Sequence, residues 1–385
     1  MKFIRNYLNK IKPGFQKGGR FEKLQSTFDA FETFLFVPDK VTGKGSHIRD
    51  SIDMKRTMSV VIIALLPCLL FGMWNVGYQH WLATGNNTIE LFPQFWFGFL
   101  KVIPIIAVSY ISGLGVEFIA AQIRGHEVNE GFLVSGMLIP LIMPVNIPLW
   151  MVAIATVFAV ILGKEVFGGT GMNIFNPALL ARAFIFFAYP SHISGDLPWT
   201  AGLDKAEGII EGFSGATPLS LAASYKELPD NLSLFIGTIP GSIGETSKLA
   251  ILIGAAILLI TGIGCWRTML SVFAGGVIMS LIFNIFAVNP YMKIDPVTHL
   301  LLGGFMFGAV FMATDPVTAS QTNRGKYIYG FLIGMLAIMI RVFNPAYPEG
   351  MMLAILLMNA FAPLIDHFVI QAHINKRKKR LIKNA

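Results

Sequence analysis

Charge is what this sequence has least of. Only 14% of its 385 residues are Asp, Glu, Lys or Arg, where a soluble globular domain carries about a quarter. With 54% hydrophobic residues and a mean hydropathy of +0.62, that deficit excludes an ordinary water-facing fold. Cysteine is nearly missing too. Cys68 and Cys265 stand far apart beside apolar runs, and neither belongs to a metal-ligand spacing. The chain therefore carries no complete cysteine-ligated iron–sulfur cluster of its own. It lacks a Gly-x-Gly-x-x-Gly in a soluble strand–helix setting, which excludes a dinucleotide site. It lacks a glycine loop ending in Gly-Lys-Ser/Thr, which excludes a P-loop. The first 55 residues are polar and mixed, so the first apolar run starts too late for a signal peptide.

What is present reads as an all-α integral membrane protein. The 32 Phe and 38 Gly suit a tightly packed helical bundle better than an outer-membrane barrel, whose strands alternate weakly. The net charge is +8, and its basic residues gather at the two ends of the chain. Beside membrane spans this reads as cytoplasmic anchoring rather than nucleic-acid binding. Between Phe28 and Pro38 the aromatics suit either an interfacial segment or plain packing.

Ten apolar runs are expected as segments: 57–80, 96–121, 131–146, 147–163, 174–190, 248–265, 268–288, 298–313, 326–343 and 351–370. A straight span needs about 20 residues, and the third, fourth, fifth and eighth fall short. Short runs broken by Gly and Pro mark half-helices in transporter-like folds. With a cytoplasmic N-terminus, the connections holding Arg124, Lys164, Arg267, Arg324 and Lys326 fall inside with the basic tail. The connection 191–247 then lies outside, on the periplasmic side of a bacterial inner membrane. Gly131–Pro144 followed by Asn176-Pro177 has a counterpart in Leu301–Pro316 followed by Asn344-Pro345. The expected organisation is a cytoplasmic segment 1–56, a five-helix repeat 57–190, a periplasmic loop 191–247, an inverted five-helix repeat 248–370 and a basic tail 371–385.

Several polar features interrupt this apolar background. Gly212–Ser220 is a small-residue loop that leaves the Thr217 hydroxyl open to approach. Pro218 is expected to stop any helix there and to hold Thr217 extended. An ordinary turn is the simpler reading. Gly168-Gly169-Thr170-Gly171 offers either a nest of amides for an anion or a tight re-entry turn. His126–Gly131 suits a helix cap at the third run. Ionisable residues inside apolar runs need a reason. Arg182 suits a counter-charge to an anionic ligand or a structural partner. Glu117 and Asp366 are carboxylates of the kind that hold Na+ or relay protons. The alternative for both is structural pairing, with Arg182 or His367 as partner.

Ser214-Gly215-Ala216-Thr217 resembles the flavinylation motif of one family, the B subunits of Na+-translocating NADH:quinone reductases. The paralogue of that family is the D subunit of the Rnf electron-transport complex. His126–Gly131, Lys164–Gly171, Asn176–Ala178, Ile239–Glu245, Met312–Pro316, Arg341–Met352 and Phe361–His367 also look like signatures of the B subunits. The long polar N-terminus resembles theirs rather than that of the Rnf paralogue. The resemblance implies FMN joined through its phosphate to Thr217 and a second flavin, riboflavin, bound non-covalently nearer the cytoplasm. It implies ubiquinone or menaquinone as substrate and Na+ as transported ion, with Glu117 and Asp366 at the family's acidic positions. It implies a quinone site at Gly113, where the family has a glycine pair and this chain has Gly113-Leu114. Partners implied are the other subunits of the complex, which bind NADH, and a flavin transferase. A flavin-free channel or carrier of the same fold is the rival from another class.

Overall fold

The computed structural model describes residues 2–384 except 16–18, 20, 22–27, 29–31, 33–35, 37–41, 49–51, 87–88, 125–130, 196, 203–214 and 345–348. Among the described residues the chain is helical and has no strand. A short helix α1 (Lys2–Ile11) precedes the bundle. Then come α2 (Met54–Ala83), α3 (Leu91–Arg124), α4 (Phe132–Leu141), α5 (Leu149–Gly163) and α6 (Pro177–Ala188). Two short helices, α7 (Pro218–Ala223) and α8 (Asn231–Ile236), lead to α9 (Lys248–Ile260) and α10 (Trp266–Ile285). The broken segment α11 (Pro296–Leu301) and α12 (Phe305–Phe307) is followed by α13 (Asn323–Phe343) and α14 (Met351–Asn384).

Among the described residues, six helices are long and apolar enough to cross a membrane: Met54–Ala83, Leu91–Arg124, Leu149–Phe167, Trp266–Ile285, Asn323–Phe343 and Met351–Arg380. Three more, α4, α6 and α9, are apolar but shorter. Two expected lengths change. The fourth run, expected to be short, continues through a tight turn at Glu165–Phe167. The sixth, expected to reach 265, stops at Ile260 and turns through Gly262, which needs a positive φ of 73°. The outward faces carry exposed Ile111, Ile119, Leu70 and Ile285. An apolar surface of that extent belongs in hydrocarbon, not water. Pro67 and Pro104 sit inside α2 and α3, as spanning helices tolerate when neighbours serve the freed carbonyls.

Small residues bring the helices together. On α13, Gly330 and Gly334 stand four apart and face Ser271 and Val272 of α10. A Cβ on Gly334 would run into the Val272 carbonyl, so the two backbones approach as closely as glycine allows. On the other side of the bundle, Ser109 of α3 donates to the Gly136 carbonyl of α4 at 3.0 Å, and the Tyr110 hydroxyl donates to Leu133.

The eighth run is not one helix. After Leu301 the backbone turns extended at Leu302 and then through Gly303 at φ +56°. It resumes at Phe305 and closes in a wider turn, Gly308–Met312. A break inside an apolar run takes carbonyls from their helical partners, and each must find another donor. Arg341, fully buried on α13, donates to the carbonyls of His299 at 2.5 Å and Leu302 at 2.9 Å. The buried Lys248 ammonium donates to Gly303 at 3.0 Å and to its own neighbour Glu245 at 2.7 Å.

Candidate functional site

The break in the eighth run forms one wall of a cavity of about 210 Å³. Thr217, Arg182, Glu245, Lys248, Gly303 and Glu349 are on its lining. Thr217 has φ −69° and ψ 150°, the extended backbone expected before proline. The expectation that Pro218 would stop a helix is corrected. Pro218 begins α7, because its fixed φ and missing N–H suit a first helical position. Thr217 is the N-cap, and its Oγ1 accepts from the Ser220 amide at 3.2 Å. The hydroxyl proton is not used in that bond. Thr217 is half-buried and its Gly215 and Ala216 neighbours are buried. Ser214 and loop residues 203–214 lie outside the described residues.

Arg182 is buried on α6 and holds two carboxylates. One Nη donates to Glu245 at 3.1 Å and the other meets Glu349 at 2.5 Å. Its charge is therefore shared inside the wall rather than presented bare to a ligand. Lys248 is part of the same wall and Arg341 stands behind it, and both donate to carbonyls. Among the described residues, three cations and two carboxylates leave this cluster with one positive charge in excess. That excess favours an anionic ligand. Trp199, Ile193 and Leu219 supply apolar lining beside it. A hydroxyl, a net positive wall and an aromatic flank fit a phosphate-linked flavin attached at Thr217.

Glu245 and Glu349 were not expected to take part in a site, although both stand in the motifs quoted above. The available signal was Arg182 itself. A cation inside an apolar run requires carboxylates, and these two stand just ahead of apolar runs.

A second cavity of about 100 Å³ lies at the opposite end of α9. Lys164, Thr170, Asn173, Asn176, Thr314 and Asp315 line it, with Val61, Leu138 and Phe311 as apolar wall. Asn176 caps α6 by accepting from the Ala178 amide at 3.0 Å. Asp315 accepts from the Val317 amide at 3.2 Å and the Thr318 hydroxyl at 2.9 Å, yet burial pushes its carboxyl above the ordinary range. The amides of Gly168 and Gly169 bond to the carbonyls of Glu165 and Lys164, and φ is +121° and +98° there. At those two glycines the tight-turn reading applies. Thr170 alone of that motif joins the cavity wall. The His126–Glu130 residues lie outside the described residues.

The two acidic positions are not bare: both are structurally paired, though with partners other than the Arg182 and His367 expected. Glu117 of α3 is ion-paired with Lys164, both buried. Among the described residues its second oxygen, Oε2, has no hydrogen-bond partner. Asp366 of α14 accepts from Ser320 Oγ and Thr322 Oγ1 at 2.6 Å, and from the amides of Gln321 at 2.7 Å and Thr322 at 2.9 Å. It holds the entry to α13. Neither pairs with Arg182 or His367. Gly113 is on the wall of neither cavity, and the Phe132 ring takes the room its side chain would fill.

Residues 41–375 match the family described as NQR2, RnfD, RnfE. The chain is 48% identical to the B subunit of the Na(+)-translocating NADH-quinone reductase of Ectopseudomonas mendocina, over 98% of this chain and 99% of that protein. The B subunit from Azotobacter vinelandii is 47% identical at the same coverage. That of Chromohalobacter salexigens is 46% identical over 98% of this chain and 96% of its own.

Proposed function

Because this chain belongs to the NQR2, RnfD, RnfE family, we propose that it is the B subunit of a sodium-translocating NADH:quinone reductase. In this reading it is a multi-pass protein of the inner membrane with both termini in the cytoplasm. Its ten segments form two inverted five-helix repeats, 57–190 and 248–370. The placement of two cavities at opposite ends of α9 supports such a two-faced arrangement.

The observation that carries the function is Thr217 on the lining of a cavity backed by three buried cations. Thr217 holds FMN through a phosphoester, attached by a separate flavin transferase. Gly215 and Ala216 keep the approach to the hydroxyl free of bulk. The excess positive charge behind the wall favours the phosphate, and Arg182 keeps Glu245 and Glu349 from opposing it. Bound flavins supply the electron transfer, and the protein supplies position and electrostatics. The second cavity, with its amide and hydroxyl lining, takes the non-covalent riboflavin. Its polar atoms suit a ring edge, and its apolar wall suits a ring face. Quinone is the electron acceptor, with Gly113 at its site, and other subunits bring NADH. Na+ moves past Glu117 and Asp366.

The test is Thr217→Ala in the assembled complex. The variant is expected to insert and assemble, yet to lose its fluorescent band on a denaturing gel and its FMN-sized mass increment. Retention of both would remove Thr217 as the attachment site. Electron transfer from NADH to quinone that depends on Na+ separates this reading from a flavin-free channel or carrier. An electron route from ferredoxin to NAD+ would instead favour the Rnf paralogue.

A further inference from the structure

Glu117 and Lys164 form an ion pair that the proposed sodium function does not by itself explain. The pair joins α3 to the end of α5, and each residue is 4% exposed. A second pair lies beside it, Arg124 with Glu165 at 3.1 Å, and Arg124 also donates to the Glu165 carbonyl at 2.6 Å. These four charges sum to zero. The two partners are not equivalent in what they face. Lys164 lines the second cavity, whereas Glu117 stands behind it and is absent from that wall. Glu117 also has an oxygen left over, since Oε2 is buried without a partner. A carboxylate with one oxygen on an ammonium and one unused is an incomplete cation site.

We propose that Lys164 is a tethered cation that holds Glu117 until a sodium ion replaces it. The inference rests on the sodium-transport reading above. Two physical facts give the exchange its logic. A buried carboxylate cannot be left alone, because losing its partner leaves an uncompensated charge. Lys164 therefore departs only as another cation arrives. A lysine is suited to departing. Its ammonium is a point charge on a flexible four-carbon stem, and the cavity it lines gives it somewhere to go. Oε2 supplies a hard oxygen ligand that the ammonium leaves unused. Sodium and Lys164 then compete for one carboxylate, and the ammonium enters the cavity only when sodium is bound. In the flavin reading of that cavity, the displaced charge would arrive beside the ring, which ties ion occupancy to the redox site.

Competition makes opposite predictions for two substitutions. Lys164→Met removes the competitor. The sodium concentration for half-maximal effect then falls, by about tenfold if displacing the ammonium costs sodium about 1.4 kcal/mol. Lys164→Arg keeps the charge and offers a planar fork that can take both carboxylate oxygens, so the sodium requirement rises. Both variants are measured in the purified complex in two ways: sodium dependence of quinone reduction, and sodium-dependent rise of the thermal unfolding midpoint without turnover. Glu117→Gln in the Lys164→Met background is expected to abolish the gain. Shifts in the same direction for Met and Arg, or no shift in either, overturn the proposal. So does a gain that survives Glu117→Gln. If Lys164→Met fails to assemble, the Arg variant alone decides, since a merely structural pair would leave its sodium requirement unchanged. If the unmodified complex shows no sodium dependence at all, the sodium reading fails instead.

Discussion

Arg341 donates to the carbonyl of Leu302 at 2.9 Å, across the point where the eighth run breaks. Its other contacts are the carbonyls of His299 at 2.5 Å and Glu349 at 3.3 Å, and its guanidinium stands 5.6 Å over the Phe305 ring. Together with Lys248 on Gly303, this side chain serves the carbonyls that the break leaves without helical partners. The same break leaves Gly303 and Gly304 lining the cavity with Thr217. Fold and site meet at this residue.

Arg341→Met is expected to destabilise the assembled protein strongly. Each buried carbonyl left without a donor costs about 1–3 kcal/mol, and more than one is left. Arg341→Lys should lie between, because an ammonium reaches fewer of them. Thermal unfolding of the detergent-purified complex measures the ranking. A Met variant as stable as the parent would mean that other donors serve the break.

At Thr217 the cap that the structure shows and the attachment proposed for it can be tested separately. The oxygen caps α7, and in the proposed function it also carries the flavin. Thr217→Ala should lose about 1 kcal/mol of local stability with the cap and all covalent flavin. Thr217→Ser keeps a hydroxyl, so the cap survives and part of the flavin is retained. In-gel fluorescence and intact mass read the flavin; limited proteolysis around α7 reads the cap. Flavin on the Ala variant, or none on Ser with a normal cap, would count against the assignment.

Glycine on α13 is expected to matter where the backbones touch and not elsewhere. Gly334→Ala places a Cβ against the Val272 carbonyl, and overpacking of this kind costs about 1–3 kcal/mol. Gly115→Ala on α3 meets open space and should be neutral or slightly stabilising, since alanine is the better helix former. The two unfolding midpoints, compared side by side, test whether close helix contact holds α10 to α13.

The apolar runs were legible because spanning helices are apolar on every side, so composition alone marks them. Thr217 could be singled out because the small residues around it are consecutive in the sequence. The charge pairs were not. Arg182 meets Glu245 and Glu349 from distant parts of the chain, and Glu117 meets Lys164 across α3 and α5. Such partners depend on helix crossing and register, which no local pattern carries. Pro218 misled for a related reason. A proline that ends one helix and a proline that begins the next look alike until the chain on each side is placed. The early stop of α9 at Ile260 was hidden because the apolar run continues past the turn.

Asp366 and Glu117 are both acidic positions in the proposed sodium path, but their surroundings differ. Asp366 accepts four hydrogen bonds, from Ser320, Gln321 and both donors of Thr322. A carboxylate has about four acceptor sites, so little capacity is left for an ion in this arrangement. Glu117 keeps one oxygen without a partner. Removing a charged oxygen ligand costs about 1.5–3 kcal/mol, which corresponds to roughly tenfold or more in an apparent constant. Glu117→Gln should therefore raise the sodium requirement by about that factor. Asp366→Asn should raise it less, because an amide oxygen still accepts at the entry to α13. Asp366→Ala should do more harm to stability than to sodium response, since it leaves the Gln321 and Thr322 amides without their acceptor. Covalent flavin at Thr217 should be intact in all three, as neither carboxylate lines that cavity. Activity against Na+, unfolding midpoint and flavin content, read on the same preparations, decide the matter. An Asp366→Asn variant more dependent on sodium than Glu117→Gln would place the tighter ion contact at α14 and reverse the order proposed here.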